Sequence, residues 1–131
     1  MGSVNKARAK RVLIVDDNLE SAEVLKETLE RAGHSVVTAH DPVAALRNAE
    51  DVAPDVCILD IELPIMNGYE LGTRLHETES TKDCVLIAVT GYGQEHDQRR
   101  SRDAGFEHHL VKPVDIDRLL QIVEEVPALR S

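Results

Sequence analysis

Apolar residues in this chain gather in short runs that each stop at a polar, chemically capable side chain. Val12-Leu13-Ile14-Val15 ends at Asp16 and Asp17, and Val56-Cys57-Ile58-Leu59 ends at Asp60. Val85-Leu86-Ile87-Ala88-Val89 ends at Thr90, and His109-Leu110-Val111 runs into Lys112-Pro113. Such near-continuous apolar or β-branched stretches suit parallel strands covered on both faces. They predict strands at 11–15, 35–39, 55–59, 84–89 and 107–111.

The segments between them carry helical spacing. Leu19, Ala22, Leu25, Leu29 and Ala32 recur every three or four residues, and Gly33 supplies a stop. Asp41-Pro42 reads as an N-cap followed by Pro in the first turn, with Val43, Leu46 and Ala49 as the buried stripe. A weaker helix at 69–78 is anchored by Leu71 and Leu75, and Gly72 lowers its propensity. Asp115 caps a last helix that faces inward through Ile116, Leu119, Leu120 and Val123. The stretch 94–103 has no large apolar side chain and is expected to be the loosest element.

Strand–helix alternation with right-handed crossovers gives a single α/β unit. The expected architecture is a flavodoxin-like (βα)5 three-layer sandwich, its five-stranded parallel sheet in the order 2-1-3-4-5. In that order the first and third strands end side by side at the switch point, where ligands of open α/β sheets sit. One rim therefore gathers Asp16, Asp17, Asp60, Thr90 and Lys112.

Composition restricts what that rim can serve. With 131 residues and 42% hydrophobic content, one ordinary domain is expected. One Phe, two Tyr and no Trp leave an aliphatic core and no stacking platform for single-stranded nucleic acid. A formal charge of −9 opposes direct nucleic-acid binding. Lys6, Arg8, Lys10 and Arg11 read as a short solvated arm. The expected division is an arm at 1–10 (1–3 resembling an expression scar), a working domain at 11–126 and a tail at 127–131. No run approaches the ~20 apolar residues of a membrane span. Cys57 and Cys84 sit inside apolar runs without metal-ligand spacing, and no secretory leader is evident, so a reducing cytoplasm is expected. The six histidines include no pair at helical metal spacing.

Convergent carboxylates have limited options. Two of them about 5 Å apart repel by roughly 3 kcal/mol at an effective dielectric near 20. A cluster of three raises a pKa or recruits a cation. Hard oxygen ligands on a partly exposed rim suit Mg²⁺, with Mn²⁺ as a substitute, and Mg²⁺ favours a phosphate co-ligand. Thr90 offers a hydroxyl donor and Lys112 a point charge for phosphoryl oxygens. Pro113 fixes a tight turn after Lys112. The reading is an aspartyl-phosphate site, with Asp60 attacking phosphorus and Mg²⁺ on Asp17 and Asp60.

The segments Val-Leu-Ile-Val-Asp16-Asp17-Asn18, Leu-Asp60-Ile-Glu-Leu-Pro64-Ile-Met66-Asn67-Gly68, Val-Thr90-Gly and Lys112-Pro113 resemble the receiver domain of two-component response regulators. The resemblance runs from about Arg11 to Val126, with the motifs in the family's order. It implies that Asp60 receives a phosphoryl group from a histidine kinase or a histidine phosphotransfer protein. It implies direct Mg²⁺ ligation by Asp17, Asp60 and the backbone carbonyl of Glu62, with Asp16 acting mainly through water. Thr90 and Lys112 would hold the phosphoryl oxygens, and Lys112-Pro113 would match the family's cis peptide. His109 departs from the Phe or Tyr usual three residues before the lysine, where a ring turns inward after phosphorylation. Gly91 follows the threonine where Ala is frequent. The wording from Gly105 to Pro113 looks most like receivers attached to hybrid histidine kinases.

A signal would leave as Thr90 moves and draws the following loop and the 94–103 segment with it, making 94–126 the face for a downstream protein. Glu62 and Tyr92 are expected to tune the phosphate's lifetime. Self-association through the last helix stays open. The competing readings fit less well. An aspartate-nucleophile phosphatase would need an acid/base Asp where Glu62 stands, and a cap over its substrate. A phosphorylation-independent interaction module has no use for the full set of acidic, hydroxyl and amine groups. Flavin binding would set Asp16 and Asp17 against the flavin phosphate.

Overall fold

The computed structural model describes residues 9–91 and 98–128. Five strands alternate with five helices: β1 (Arg11–Val15), α1 (Leu19–Arg31), β2 (Ser35–Ala39), α2 (Pro42–Val52), β3 (Val56–Asp60), α3 (Gly68–His76), β4 (Val85–Thr90), α4 (Gln98–Asp103), β5 (Phe106–Val111) and α5 (Ile116–Glu125). The strands form one parallel sheet in the order β2-β1-β3-β4-β5, as the alternation predicts. β3 and β4 are buried at every residue, which is why they read as unbroken apolar runs. Both end one residue later than expected, so Asp60 and Thr90 are the last residues of their strands.

Alternation along the strands divides the interior into two cores. Leu13, Cys57, Leu59 and Leu86 face α2 and α3, packing with Ala45, Ala49, Leu71 and Leu75. Val12, Ile14, Ile58 and Ile87 face α1 and α5, packing with Leu25, Leu29, Leu119 and Val123. Asn18, Asp41, Asn67 and Asp115 cap α1, α2, α3 and α5, each accepting from an amide three residues on. Among the described residues, no helix is long and apolar enough to cross a membrane.

Several expectations are corrected. Lys10 is not part of a solvated arm but only 1% exposed. Its Nζ donates to Val123 O (3.2 Å) and Glu124 O (2.9 Å) at the end of α5, and its backbone N–H donates to His34 Nδ1 (3.0 Å). Orphan carbonyls at a helix C-terminus attract a cation, which explains a lysine there. The stripe on α2 is Pro42, Ala45 and Ala49, with Leu46 half-buried and Val43 exposed. Small residues let that helix lie close to the sheet, and the rotation turns Val43 outward. Leu19, in the first turn of α1, lies exposed, as does Ala32 at its C-cap.

Gly72, which lowers helix propensity, has a packing reason: a Cβ there would lie 2.8 Å from Phe106 Cε2. The α4 helix also has more holding it than its apolar content suggests. Ser101 and Ala104 are buried, and the Arg100 guanidinium stacks 4.8 Å from the centre of the Tyr69 ring. Residues 92–97, including Tyr92 and the start of the 94–103 segment, lie outside the described residues.

Candidate phosphoacceptor site

Two strand ends are built alike. Asp16 Oδ1 accepts from the amide of Asn18, and Asp60 Oδ1 accepts from the amide of Glu62, both at 2.9 Å. Each carboxylate is thus held by the amide two residues further on, the local habit of Asp where a strand gives way to a turn. Their other oxygens face a shared ammonium: Lys112 Nζ lies 3.2 Å from Asp16 Oδ2 and 3.4 Å from Asp60 Oδ2. The Lys112 amide donates to Thr90 O (2.7 Å), which ties the end of β4 to the turn that carries the lysine. The Lys112-Pro113 bond is cis, as expected.

Asp16, Asp17 and Asp60 offer carboxylate oxygens within 4.8 Å of one another, Asp17 on the open side. Burial pushes the Asp60 carboxyl up to about 6. The Glu62 amide and Lys112 pull against that rise, while Asp16 adds to it. Burial alone would lower the Lys112 ammonium, but the charges of Asp60 and Asp16 outweigh it and hold that group above its ordinary value. One lysine therefore leaves the cluster with uncompensated negative charge. A hard divalent cation fits three such oxygens and would complete the ionisation of Asp60.

The junction of β3 with α3 depends on Gly68, the first residue of α3. A Cβ there would come 2.6 Å from Asp60 O and 2.7 Å from Ile61 Cα, so only glycine lets α3 start against the end of β3. Above it, Met66 N donates to Pro64 O (2.7 Å) across Ile65, whose φ is +72°. This three-residue turn puts a β-branched residue in the left-handed region and leaves Ile65 90% exposed. The Glu62 side chain is exposed at the same rim. A groove of about 610 Å³ opens from Asp16 and Lys112 along α1 and the turn into α5, walled by Val24, Leu25, Pro113 and Ile116.

Sequence reasoning brings together Asp16, Asp17, Asp60 and Lys112, and the structure joins them. It does not foresee the contact of Thr90: Oγ1 lies 2.9 Å from His109 Nε2 across the β4–β5 pair. The available signal is the register, which pairs Ala88 with His109 and Thr90 with Val111 and so sets Thr90 diagonally across from His109, and it needs the fold first. Tyr92 lies outside the described residues.

A carboxylate raised toward neutrality, flanked by two others and faced by a lysine, suits capture of an electrophilic phosphorus. Comparison with known proteins narrows this class to one family. The profile described as the response regulator receiver domain matches residues 12–124. The chain belongs to that family, the phosphoacceptor signalling domains of two-component systems. It is 29% identical over 115 residues to the polar-differentiation response regulator DivK of Brucella ovis, covering 88% of this chain and 94% of that protein. It is 36% identical over 123 residues to the virulence sensor protein BvgS of Bordetella bronchiseptica, covering 90% of this chain and 10% of that protein. The chemotaxis response regulator CheY4 of Vibrio cholerae superposes with a TM-score of 0.82 at 28% identity, covering 91% of this chain and 99% of that one. A CheY-like receiver domain from Methanospirillum hungatei gives 0.82 at 32% identity, covering 90% and 93%.

Proposed function

We propose that Asp60 accepts a phosphoryl group from the phosphohistidine of a histidine kinase or a histidine phosphotransfer protein. An Asp60 oxygen forms the new bond to phosphorus as the P–N bond breaks. The imidazole leaves with that electron pair and takes up a proton. The observation that carries this reading is the placement of Asp60: within 4.8 Å of two further carboxylates and 3.4 Å from the Lys112 ammonium.

Magnesium, or manganese in its place, would be held by Asp16, Asp17, Asp60 and the Glu62 carbonyl, and would neutralise charge on the phosphoryl oxygens. Lys112 gives up part of its contact with Asp60 to bind one phosphoryl oxygen, and the Thr90 hydroxyl donates to another. The Glu62 amide keeps Asp60 Oδ1 occupied, so Oδ2 is the attacking atom.

The apolar groove is the seat of the donor, since Asp16 and Lys112, the neighbours of Asp60 in the cluster, line it. The face 94–126 carries the response to a downstream protein, and Glu62 and Tyr92 set the phosphate's lifetime. The working unit is 10–126, a phosphorylated switch rather than a turnover enzyme. Its free thiols Cys57 and Cys84 suit the reducing cytoplasm.

Incubation with Mg²⁺ and acetyl phosphate, followed by intact-mass measurement, tests the reading. The expected result is one added phosphoryl group, absent from Asp60→Asn and from protein treated with EDTA. Equal labelling of the wild type and Asp60→Asn would remove Asp60 from the role.

A further inference from the structure

The parallel pair β1–β2 ends at Val15 and Ala39, and the ladder adds one more bond beyond it, from the Asp16 amide to Ala39 O (3.1 Å). In a parallel ladder the next donor would be the amide two residues past Ala39, that of Asp41, with Asp16 O as its acceptor. Asp41 serves instead as the N-cap of α2, and among the described residues no main-chain amide donates to Asp16 O. The His40 ring takes the vacant place: its Nδ1 lies 3.2 Å from Asp16 O. A carbonyl oxygen only accepts, so Nδ1 carries the hydrogen and donates it.

Asp16 O belongs to the peptide that joins two of the three clustered carboxylates. That peptide is planar, so fixing its oxygen also fixes the nitrogen and Cα of Asp17. The Asp16 carboxylate is already held at both oxygens, by the Asn18 amide and by Lys112. Asp17 stands on the open side of the cluster, and the direction of its side chain starts from this peptide. We propose that His40 is a positioning residue for the cation site: its Nδ1–H holds the Asp16–Asp17 peptide so that the Asp17 carboxylate stays within reach of those of Asp16 and Asp60. This rests on the reading of the three carboxylates as a divalent-cation site given above. Their mutual repulsion favours an Asp17 turned out toward solvent, and an unanchored peptide gives way to it. Groups that orient ligands set metal affinity without themselves touching the metal. One partly buried hydrogen bond is worth about five-fold in an equilibrium.

The test titrates Mn²⁺ into the full chain and counts the free ion by electron paramagnetic resonance, with Asp17→Asn showing which site binds it. His40→Ala is expected to raise the Mn²⁺ dissociation constant about five-fold. His40→Asn, whose Nδ2 sits where Nδ1 does and also donates, is expected to recover most of that loss. The Mg²⁺ concentration that half-saturates labelling by acetyl phosphate is expected to move in the same ratios. Long-range ¹H–¹⁵N spectra of the wild type give a reading that needs no variant, and a hydrogen-bearing Nδ1 on His40 is expected. Equal constants in the wild type and His40→Ala, a loss that His40→Asn does not repair, or a bare Nδ1 would each overturn the proposal and leave the cation site in place. A wild type that binds no Mn²⁺, or binds it as well after Asp17→Asn, would instead overturn the reading of the carboxylates as a cation site, and this proposal with it.

Discussion

Asp60 is the residue where chemistry and stability oppose each other. Its carboxyl is raised from 3.8 to about 6, so between those values the folded protein binds more protons than the unfolded chain. Stability contributed by this group is therefore full below about pH 4 and is lost as pH rises through 6. The loss amounts to at most about 2 kcal/mol once screening from the open side of the pocket is allowed for. Asp60→Asn removes the charge and keeps an oxygen for the Glu62 amide. In EDTA it is expected to match the wild type near pH 4 and to exceed it by about 1–2 kcal/mol at pH 7. Urea unfolding of both proteins at four pH values checks this, and parallel curves would contradict it. Four of the site's groups, Asp16, Asp17, Asp60 and Lys112, are legible in the sequence because an Asp or Lys at the end of an apolar run points to one rim. The partner of Thr90 is not, because a cross-strand contact depends on register that no local pattern encodes.

Among the elements, α3 and α4 teach the most. In the sequence Gly72 weakens a helix, whereas in the fold it admits Phe106, whose ring meets Tyr69 edge-on at 6.1 Å and 89°. Tyr69 in turn carries Arg100 on its face. Two of the chain's three aromatic residues thus form a short connector from β5 through α3 to α4. Gly72→Ala improves helix propensity by about 1 kcal/mol but drives a methyl group into Phe106. The overpacking is expected to win, with a net loss of about 1–2 kcal/mol. Thermal unfolding reads the result, and a gain in stability would show that Phe106 yields freely. Strand and helix existence is readable throughout because periodicity records which faces are covered. The buried face of α2 is misread by one position, since two alanines and a proline mark close approach less visibly than Val43 would.

At the scale of the molecule, the sheet has a working rim and a closing rim. The working rim holds the carboxylates. At the opposite rim, Lys10 joins the entry to β1 to the exit from α5, and His34 supports it from the end of the α1–β2 turn. Burial lowers the pKa of both Lys10 and His34, against the opposing charges of Asp55 and Glu124 at the lysine and of Glu124 at the histidine; among the described residues, His34 Nε2 and Ser80 Oγ are the buried side-chain atoms without a hydrogen-bond partner. Lys10→Met keeps the packed stem and deletes both bonds to the α5 carbonyls. We expect a loss of about 2 kcal/mol and faster amide exchange in the last turn of α5, with acetyl phosphate labelling unchanged. Unaltered exchange there would make the contact incidental. This closure is invisible to pattern reading, because a lysine next to other basic residues looks like any solvated cation.

The Lys10 contact has a topological meaning too. Its bonds to Val123 and Glu124 make the first and last described turns of the chain neighbours, on the rim away from the carboxylates. The unit is thus close to circular. A short linker could join its ends and new termini could be opened in a surface turn without crossing the sheet. Spliced into another protein, the same unit would enter and leave through one point, with its carboxylate cluster on the far rim, as a removable cartridge does.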